Sequence, residues 1–241
     1  MSDSIVIIPT YNEIENIEAI IRAIFSLQKP FDILVVDDNS PDKTAERVEA
    51  LKNEFHNQLF LENRTKKSGL GTAYVHGFRW ALLNKYDYVF EMDADFSHNP
   101  DDLEKLYHSC HYDKADIAIG SRYITGVNVV NWPLSRVLLS YFASVYVRLI
   151  TGMKIQDATA GFMCYKKEVL HAINLDKIKF IGYAFQIEMK YRAFSKNFKI
   201  IEVPIIFTDR AKGQSKMSGS IIKEAVFGVI SLRIKNLFNR L

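Results

Sequence analysis

Cysteine is scarce in this chain. Cys110 and Cys164 are the two present in 241 residues, and their separation fits no metal-binding spacing. That excludes a disulfide scaffold, and the pair reads as reduced thiols of a cytosolic protein. Long hydrophobic runs are also missing. The longest, Val137 to Val147, is closed by Arg148, short of the roughly 18 residues a spanning helix needs. No transmembrane segment is therefore expected, and Ile5 to Ile8 is too short for the apolar region of a signal peptide. Charge of one sign is not in surplus: 31 basic against 28 acidic side chains leave +3, which gives no reason to expect nucleic acid as a partner. There is no internal repeat and no low-complexity linker. The 48% hydrophobic and 24% charged composition suits a soluble globular protein long enough to bury its own core.

Apolar strands and amphipathic helices alternate through the first half. Strands are expected over Ser4–Ile8, Asp32–Val36, Gln58–Glu62, from Tyr88 onward and over Ala115–Ile119. Helices are expected over Ile14–Leu27, Asp42–Phe55 and Leu70–Leu83, and after Pro100. Unbroken apolar strands separated by helices of this length predict an α/β fold with a parallel sheet covered on both faces. Such sheets bind ligands outside the carboxyl ends of their strands. Here those ends read Pro9-Thr-Tyr-Asn-Glu13, Asp37-Asp-Asn-Ser-Pro41, Asp93-Ala-Asp95 and Gly120-Ser-Arg-Tyr123, and all four are expected on one rim.

Asp93 and Asp95, separated by Ala94, carry the strongest signal. Two carboxylates at a buried strand end repel each other and lose hydration, a cost that a divalent cation offsets. Few hard oxygen ligands suit Mg²⁺ or Mn²⁺, which complete their shells with water and phosphate oxygens. The competing reading is a turn whose acidic residues cap the next helix. Tyr11 offers a ring for stacking a base, and Glu13 and Asp38 can accept from ribose hydroxyls or base N–H groups. Capping serves equally well for Glu13, and Pro41 and Asp42 read as turn and cap residues. Ser68-Gly-Leu-Gly-Thr72 lacks the Walker lysine and the full GxGxxG spacing, so its glycines are read as permitting a tight turn and close packing.

The second half differs. Val137 to Val147 is helical and apolar nearly all round, which fits a core helix and a lipid-contacting helix equally. Trp132 and Arg136 just before it suit a boundary between water and hydrocarbon. A helix over Tyr183–Ser195 carries Gln186 and Glu188, and a strand is expected over Ile200–Phe207. Arg210 and Lys216, with Gly213 between, fit a mobile clamp over a diphosphate. The segment from Ser218, with Lys223, Arg233, Lys235 and Arg240, reads as an amphipathic helix for the sheet or for an anionic membrane surface.

PTYNE (9–13), VVDDNSPD (35–42), GLGTAY (69–74), DADFSH (93–98), GSRY (120–123), WPLSR (132–136), DATAGF (157–162), GYAFQIEM (182–189) and DRAKGQSKM (209–217) stand in the order found in polyprenol-phosphate mannosyltransferases. The chain resembles that family, the dolichol-phosphate mannose synthase-like branch of the second glycosyltransferase family, from Ile5 to about Ser220. The resemblance implies a GT-A fold over residues 1–217, with 218–241 as the C-terminal amphipathic helix. It further implies an inverting, metal-dependent transfer of mannose from GDP-mannose to a polyprenyl phosphate, on the cytoplasmic face of a membrane. By the same matching, Asp93 and Asp95 hold Mg²⁺ or Mn²⁺, and Pro9, Tyr11, Glu13, Val36, Asp38 and Ala94 line the nucleotide. Arg122, Arg210 and Lys216 match contacts to the donor phosphates and sugar, and Arg136 and Ser140, with Arg122, the acceptor phosphate. Many relatives carry C-terminal spanning helices that this sequence lacks, which leaves open a separate membrane-anchor subunit.

The chemistry can also be argued physically. A leaving diphosphate needs its charge neutralised, which a metal ion, Arg210 and Lys216 would supply, with Asp95 and Arg122 completing the catalytic set. A sugar hydroxyl as acceptor would need a base, for which Asp157 is the first candidate. A phosphomonoester is already mostly dianionic at pH 7 and needs placement rather than activation. Two alternatives stay open: a GT-A enzyme using UDP-glucose or another donor, or a glycan hydroxyl acceptor, and a catalytically silent nucleotide-sugar-binding subunit.

Overall fold

The structure, a computed structural model, describes residues 2–182, 184–209 and 219–238. Strand β1 (Ser4–Thr10) opens the chain, and Ile5 to Ile8 have no exposed surface. A strand is buried on both faces only when helices cover both sides of its sheet. Those helices alternate with strands: α1 (Ile17–Phe25), β2 (Asp32–Asp37), α2 (Thr44–Leu51), β3 (Leu59–Asn63), α3 (Leu70–Leu83), β4 (Tyr88–Glu91), α4 (Asp102–His111) and β5 (Ile117–Ser121). The alternation is the expected one, but some helices begin later than their apolar pattern. At α1 the Glu13 carbonyl accepts from the N–H groups of Asn16 and Ile17, so residues 13–16 form a turn first.

After β5 the pattern breaks. Short β6 (Val129–Val130) precedes α5 (Leu134–Thr151), then come β7 (Met163–Lys166), α6 (Lys167–Ala172), α7 (Ala184–Ser195), β8 (Ile200–Pro204), β9 (Phe207–Thr208) and α8 (Gly219–Leu237). The main sheet has the order β3-β2-β1-β4-β7-β5-β8. Strand β7 is antiparallel to both β4 and β5, and every other neighbouring pair is parallel. The strand expected over Ile200–Phe207 is two strands. Its first half ends at Pro204, which an edge strand tolerates, and β9 leaves the sheet to pair with β6.

Two cores sandwich the sheet. Ile5, Ile7, Tyr74, Phe78, Tyr165, Phe185 and Tyr191 fill the side of α3 and α7. Val6, Ile8, Ile20, Phe31, Leu103 and Leu106 fill the side of α1 and α4. Each such fully buried side chain contributes about 1.5–3 kcal/mol relative to exposure. Gly69 (φ +100) and Gly71 lie at the start of α3, and a Cβ on Gly71 would meet the Phe180 carbonyl oxygen at 2.6 Å. The glycines therefore serve close packing, as the sequence suggested.

Helix α5 departs from its run-length reading. Arg148 does not end it; the helix continues to Thr151 and closes at Gly152 (φ 76). The Arg148 guanidinium bonds Gln156 Oε1, which draws the charge away from the apolar surface. The result is an 18-residue helix long and apolar enough, by length and composition, to cross a membrane, with 17% of it buried. It packs against α8, where the Tyr146 hydroxyl donates to the Val226 carbonyl at 2.9 Å. Both helices leave large apolar side chains outside: Leu134 is 72% exposed, Phe142 60%, Leu149 79% and Phe227 72%.

Candidate active site

The first two strand ends are stitched together. Thr10 Oγ1 donates to buried Asp37, the Asn12 N–H to Ser40 Oγ and the Glu13 N–H to Thr44 Oγ1. Asp42 accepts from the Thr44 N–H and hydroxyl and from the Ile14 N–H, the turn role expected for it. Glu13 Oε2 accepts from Asn16, so this side chain is engaged in the turn that opens α1. Asp38 receives the Arg64 Nε–H at 2.6 Å, and the Lys67 ammonium stands 4.1 Å from the centre of the Tyr11 ring. Sequence reasoning missed Arg64 and Lys67, since nothing in their spacing marks them. Pro9 is half-buried beside this rim, while Val36, with no exposed surface, supports it from beneath.

Next along the rim, β4 delivers Asp93, Ala94 and Asp95. Asp95 Oδ1 accepts from both the N–H and the hydroxyl of Ser97, which fixes its direction, and the Tyr74 hydroxyl lies 3.5 Å from Asp93 Oδ1. Asp93 is half-buried and Asp95 is 6% exposed. Among the described residues there is no cluster of three or more His, Cys, Asp or Glu side chains able to hold a metal ion. Two hard-oxygen ligands two residues apart nevertheless fit Mg²⁺ or Mn²⁺, which take few protein ligands and fill the rest with water and phosphate oxygens.

Beyond the reversed β7, β5 delivers Arg122. Its backbone N–H and its Nε–H both donate to Asp157 Oδ2, at 3.0 and 2.7 Å, and Nη2 donates to Asp157 Oδ1 and Thr159 Oγ1. Burial alone would push the Asp157 carboxyl up, but the Arg122 charge and hydrogen bonds outweigh it and hold the group below the usual carboxylate range. Asp157 is thus committed to Arg122 and is poorly suited to act as a base. The Trp132 ring stands between two guanidiniums, 5.4 Å from Arg122 and 4.1 Å from Arg136. Sequence reading placed Trp132 at a water–hydrocarbon boundary. It is half-buried, packs on Phe207 and lines the cavity described below. Arg136 also pairs with Asp209 at 2.8 Å.

A cavity of about 400 Å³ joins these groups. Asp93, Arg122, Trp132, Arg136 and Ser140 line its polar part; Leu139, Phe142 and Val147 of α5 and Val226 and Val229 of α8 line the rest. His98 also lines it, stacked on Phe162 at 4.8 Å and fully buried. Burial pushes its imidazole down to about 4, so it is neutral at pH 7. Beneath lies a buried polar cluster. Gln186 Nε2 donates to Glu91 Oε2 at 2.5 Å, and Lys190 Nζ donates to the carbonyls of Ala160 and Gln186 at 2.5 and 3.3 Å. Burial raises the Glu91 carboxyl to about 8 and lowers the Lys190 ammonium to about 8.

Asp93, Arg122, Arg136 and Ser140 are thus brought to one cavity, with Tyr11, Glu13 and Asp38 on the neighbouring strand ends. Arg210 and Lys216 lie outside the described residues, as do Tyr183 and Arg240. On α8, Arg233 is turned toward the Tyr191 hydroxyl at 3.5 Å, so part of the expected basic surface faces α7 instead.

A mostly parallel sheet sandwiched by helices, with a carboxylate pair at the end of a central strand, is the architecture of a GT-A-like fold. Solved structures agree: the glucosyl-3-phosphoglycerate synthase of Mycobacterium tuberculosis, in complex with Mn²⁺, UDP and glucosyl-3-phosphoglycerate, aligns with TM-score 0.65 at 18% identity, over 98% of this chain and 79% of that one. The same enzyme with Mn²⁺, UDP and phosphoglyceric acid aligns with TM-score 0.69 at 16% identity, over 97% and 78%. The Glycosyl transferase family 2 profile matches residues 5–173, and the chain belongs to that family. Among curated relatives, the polyprenol monophosphomannose synthase of Mycolicibacterium smegmatis is 44% identical over 237 residues, covering 98% of this chain and 89% of that protein. The undecaprenyl-phosphate mannosyltransferase of Micrococcus luteus is 44% identical over 223 residues, covering 92% and 90%. The dolichol-phosphate mannosyltransferase of Pyrococcus furiosus is 38% identical over 223 residues, covering 91% of this chain and 60% of that protein.

Proposed function

We propose that this protein transfers mannose from GDP-mannose to a polyprenyl phosphate, inverting the anomeric centre to give a β-linked product. One observation carries the reading: a single cavity is cationic and polar at the strand ends and apolar between α5 and α8. A phosphate head with a hydrocarbon tail has that polarity; a glycan hydroxyl or a soluble phosphate does not. The relatives named above act, by their names, on polyprenol, undecaprenol and dolichol phosphates, which supports the same acceptor class.

In this reading, Tyr11, Glu13 and Asp38 form the nucleotide rim, Pro9, Val36 and Ala94 shape it, and Arg210 and Lys216 approach the diphosphate. Asp93 and Asp95 would hold a divalent cation, Mg²⁺ or Mn²⁺, whose chemistry is to neutralise the leaving diphosphate. Arg122 and Arg136, with Trp132 between them, place the acceptor phosphate, and Ser140 donates to it. Phosphate oxygen then attacks the anomeric carbon in line as the bond to the diphosphate breaks. No base is required, because the acceptor is already mostly dianionic at pH 7. The tight Arg122–Asp157 pair supports this, since it removes the carboxylate that a hydroxyl acceptor would call on as base.

The lipid tail keeps the acceptor in the bilayer, at about 0.8 kcal/mol per buried CH₂. The exposed apolar residues of α5 and α8 would therefore meet the cytoplasmic membrane surface, with residues 1–217 as the catalytic domain and 218–241 as a surface-lying helix that does not span. The test is incubation with labelled GDP-mannose or UDP-glucose and a short polyprenyl phosphate. Labelled lipid from GDP-mannose is expected; label from UDP-glucose alone, or transfer only to glycans, would overturn the proposal.

A further inference from the structure

The cavity has two kinds of polar group, and they suit opposite ligands. Arg122, Arg136 and the Trp132 Nε1–H are donors, fit for phosphate oxygens. Gln186, 2% exposed and lining the same cavity, offers the reverse. Its Nε2 is spent on Glu91, and its Oε1, also buried, has no hydrogen-bond partner among the described residues. A lone acceptor cannot serve a phosphate, which has only acceptor oxygens of its own at the pH of the reaction. It can serve a hydroxyl.

The surroundings fix this acceptor in place. Glu91 holds the amide by its nitrogen, from the strand that ends at Asp93. Lys190, fully buried, ties the main-chain carbonyl of Gln186 to that of Ala160, in the loop between Asp157 and Gly161, which anchors the residue's backbone rather than its amide. Gly161 faces the amide: a Cβ there would lie 3.5 Å from Gln186 Nε2. Burying a carboxyl and an ammonium is costly unless they order something. Here the carboxyl orders one side-chain oxygen, through the amide nitrogen it accepts from, and the ammonium holds the backbone on either side.

We infer that Gln186 Oε1 accepts a hydrogen bond from a hydroxyl of the transferred hexose, with Glu91 as the positioning residue that sets the amide's direction. The inference rests on the glycosyl-transfer reading of the cavity and adds the residue that recognises the sugar.

The test is a cycle between enzyme and donor. Wild type, Gln186→Met and Glu91→Gln are assayed with the hexose donor that wild type uses and with its 2-, 3-, 4- and 6-deoxy and deoxyfluoro analogues. One deoxy analogue should lose roughly 10- to 100-fold in kcat/KM with wild type, and its fluoro counterpart about as much, because fluorine cannot donate. With Gln186→Met the parent donor should fall by a similar factor, and that analogue should suffer no further loss. Glu91→Gln, which leaves residue 186 intact but adds an amide donor that competes for the Gln186 oxygen, should shrink the same discrimination, and it serves if Gln186→Met does not fold. A wild-type penalty that persists in full in these variants, or a fluoro analogue that works as well as the parent, would overturn the inference. A donor other than GDP-mannose would sink the proposed function alone, because the cycle is scored on the sugar.

Discussion

Arg122 and Asp157 are joined through main chain and side chain at once: one carboxylate receives the arginine's own N–H and two guanidinium N–H groups. Both residues are buried, so neither can lose the other without leaving a charge or a donor unpaired. Asp157→Asn is therefore expected to cost about 3–5 kcal/mol in stability. A urea titration should show the midpoint fall. Transfer should fall with any acceptor, so the variant cannot separate a hydroxyl acceptor from a phosphate.

Arg136 separates them. It is partly exposed, and its loss should spare the fold. Arg136→Ala should raise KM for a short polyprenyl phosphate or lower kcat by roughly 100-fold, the size expected for a charge-assisted contact made in a low-dielectric site. Donor binding, read by calorimetry with GDP-mannose, should stay nearly unchanged. An unaltered rate would remove Arg136 from the acceptor site.

Asp95 is held by Ser97, and it is expected to act as more than a turn residue. Asp95→Asn keeps an oxygen for the Ser97 N–H but weakens the hard-oxygen pair. Turnover should drop roughly 100-fold or more, about 3 kcal/mol of transition-state stabilisation, with little change in melting temperature. Activity that survives in Asp95→Asn would show the residue to be a cap.

His98 makes the fold acid-sensitive. The folded protein holds it neutral down to about pH 4, whereas the unfolded chain protonates near 6.5. Below 6.5 the unfolded state therefore binds the extra proton, and stability falls with pH at up to about 1.4 kcal/mol per unit until roughly pH 4. Denaturation midpoints of wild type and His98→Phe should converge as pH drops through that window. Parallel curves would show that His98 is not the group responsible.

Membrane attachment is expected to depend on side chains already outside the fold. Leu149 (79% exposed) and Phe227 (72% exposed) can be changed to Glu without opening a core. Wild type should co-sediment with anionic vesicles at low salt and be partly released at high salt, since each basic residue near the surface adds about 1 kcal/mol, screened by ions. The Leu149→Glu and Phe227→Glu variants should bind less at every salt concentration. Equal sedimentation of all three proteins would count against these helices as the contact.

The sequence made some of this legible because the cause was local. Both-face burial writes an unbroken apolar run, so β1, β2 and β4 were visible, and the loops after them announced Tyr11, Asp38 and Asp93 by chemistry. Other features depend on partners far along the chain. Nothing near Met163 says that its strand runs backward, since a central strand is apolar in either direction. Gln186 meets Glu91 across a separation of 95 residues, and Trp132 faces a second cation only because the fold brings Arg122 to it. Helix α5 was underestimated because a run count stops at an arginine, whereas a helix lets the arginine reach sideways.

The reversed strand also sets an order of assembly. β4 and β5 are consecutive in the chain, yet β7 lies between them and touches both. A chain leaving the ribosome presents β1 to β4 as a sheet that can pair as it emerges, but β5 must wait, together with α5, until Met163–Lys166 has been made. Until then β4 ends in an open edge that invites pairing with other chains. The half of the sheet that carries Tyr11, Asp38 and Asp93 is thus paired in the nascent chain before β5 is seated. Arg122 can share a cavity with Asp93 only after that single strand closes the gap.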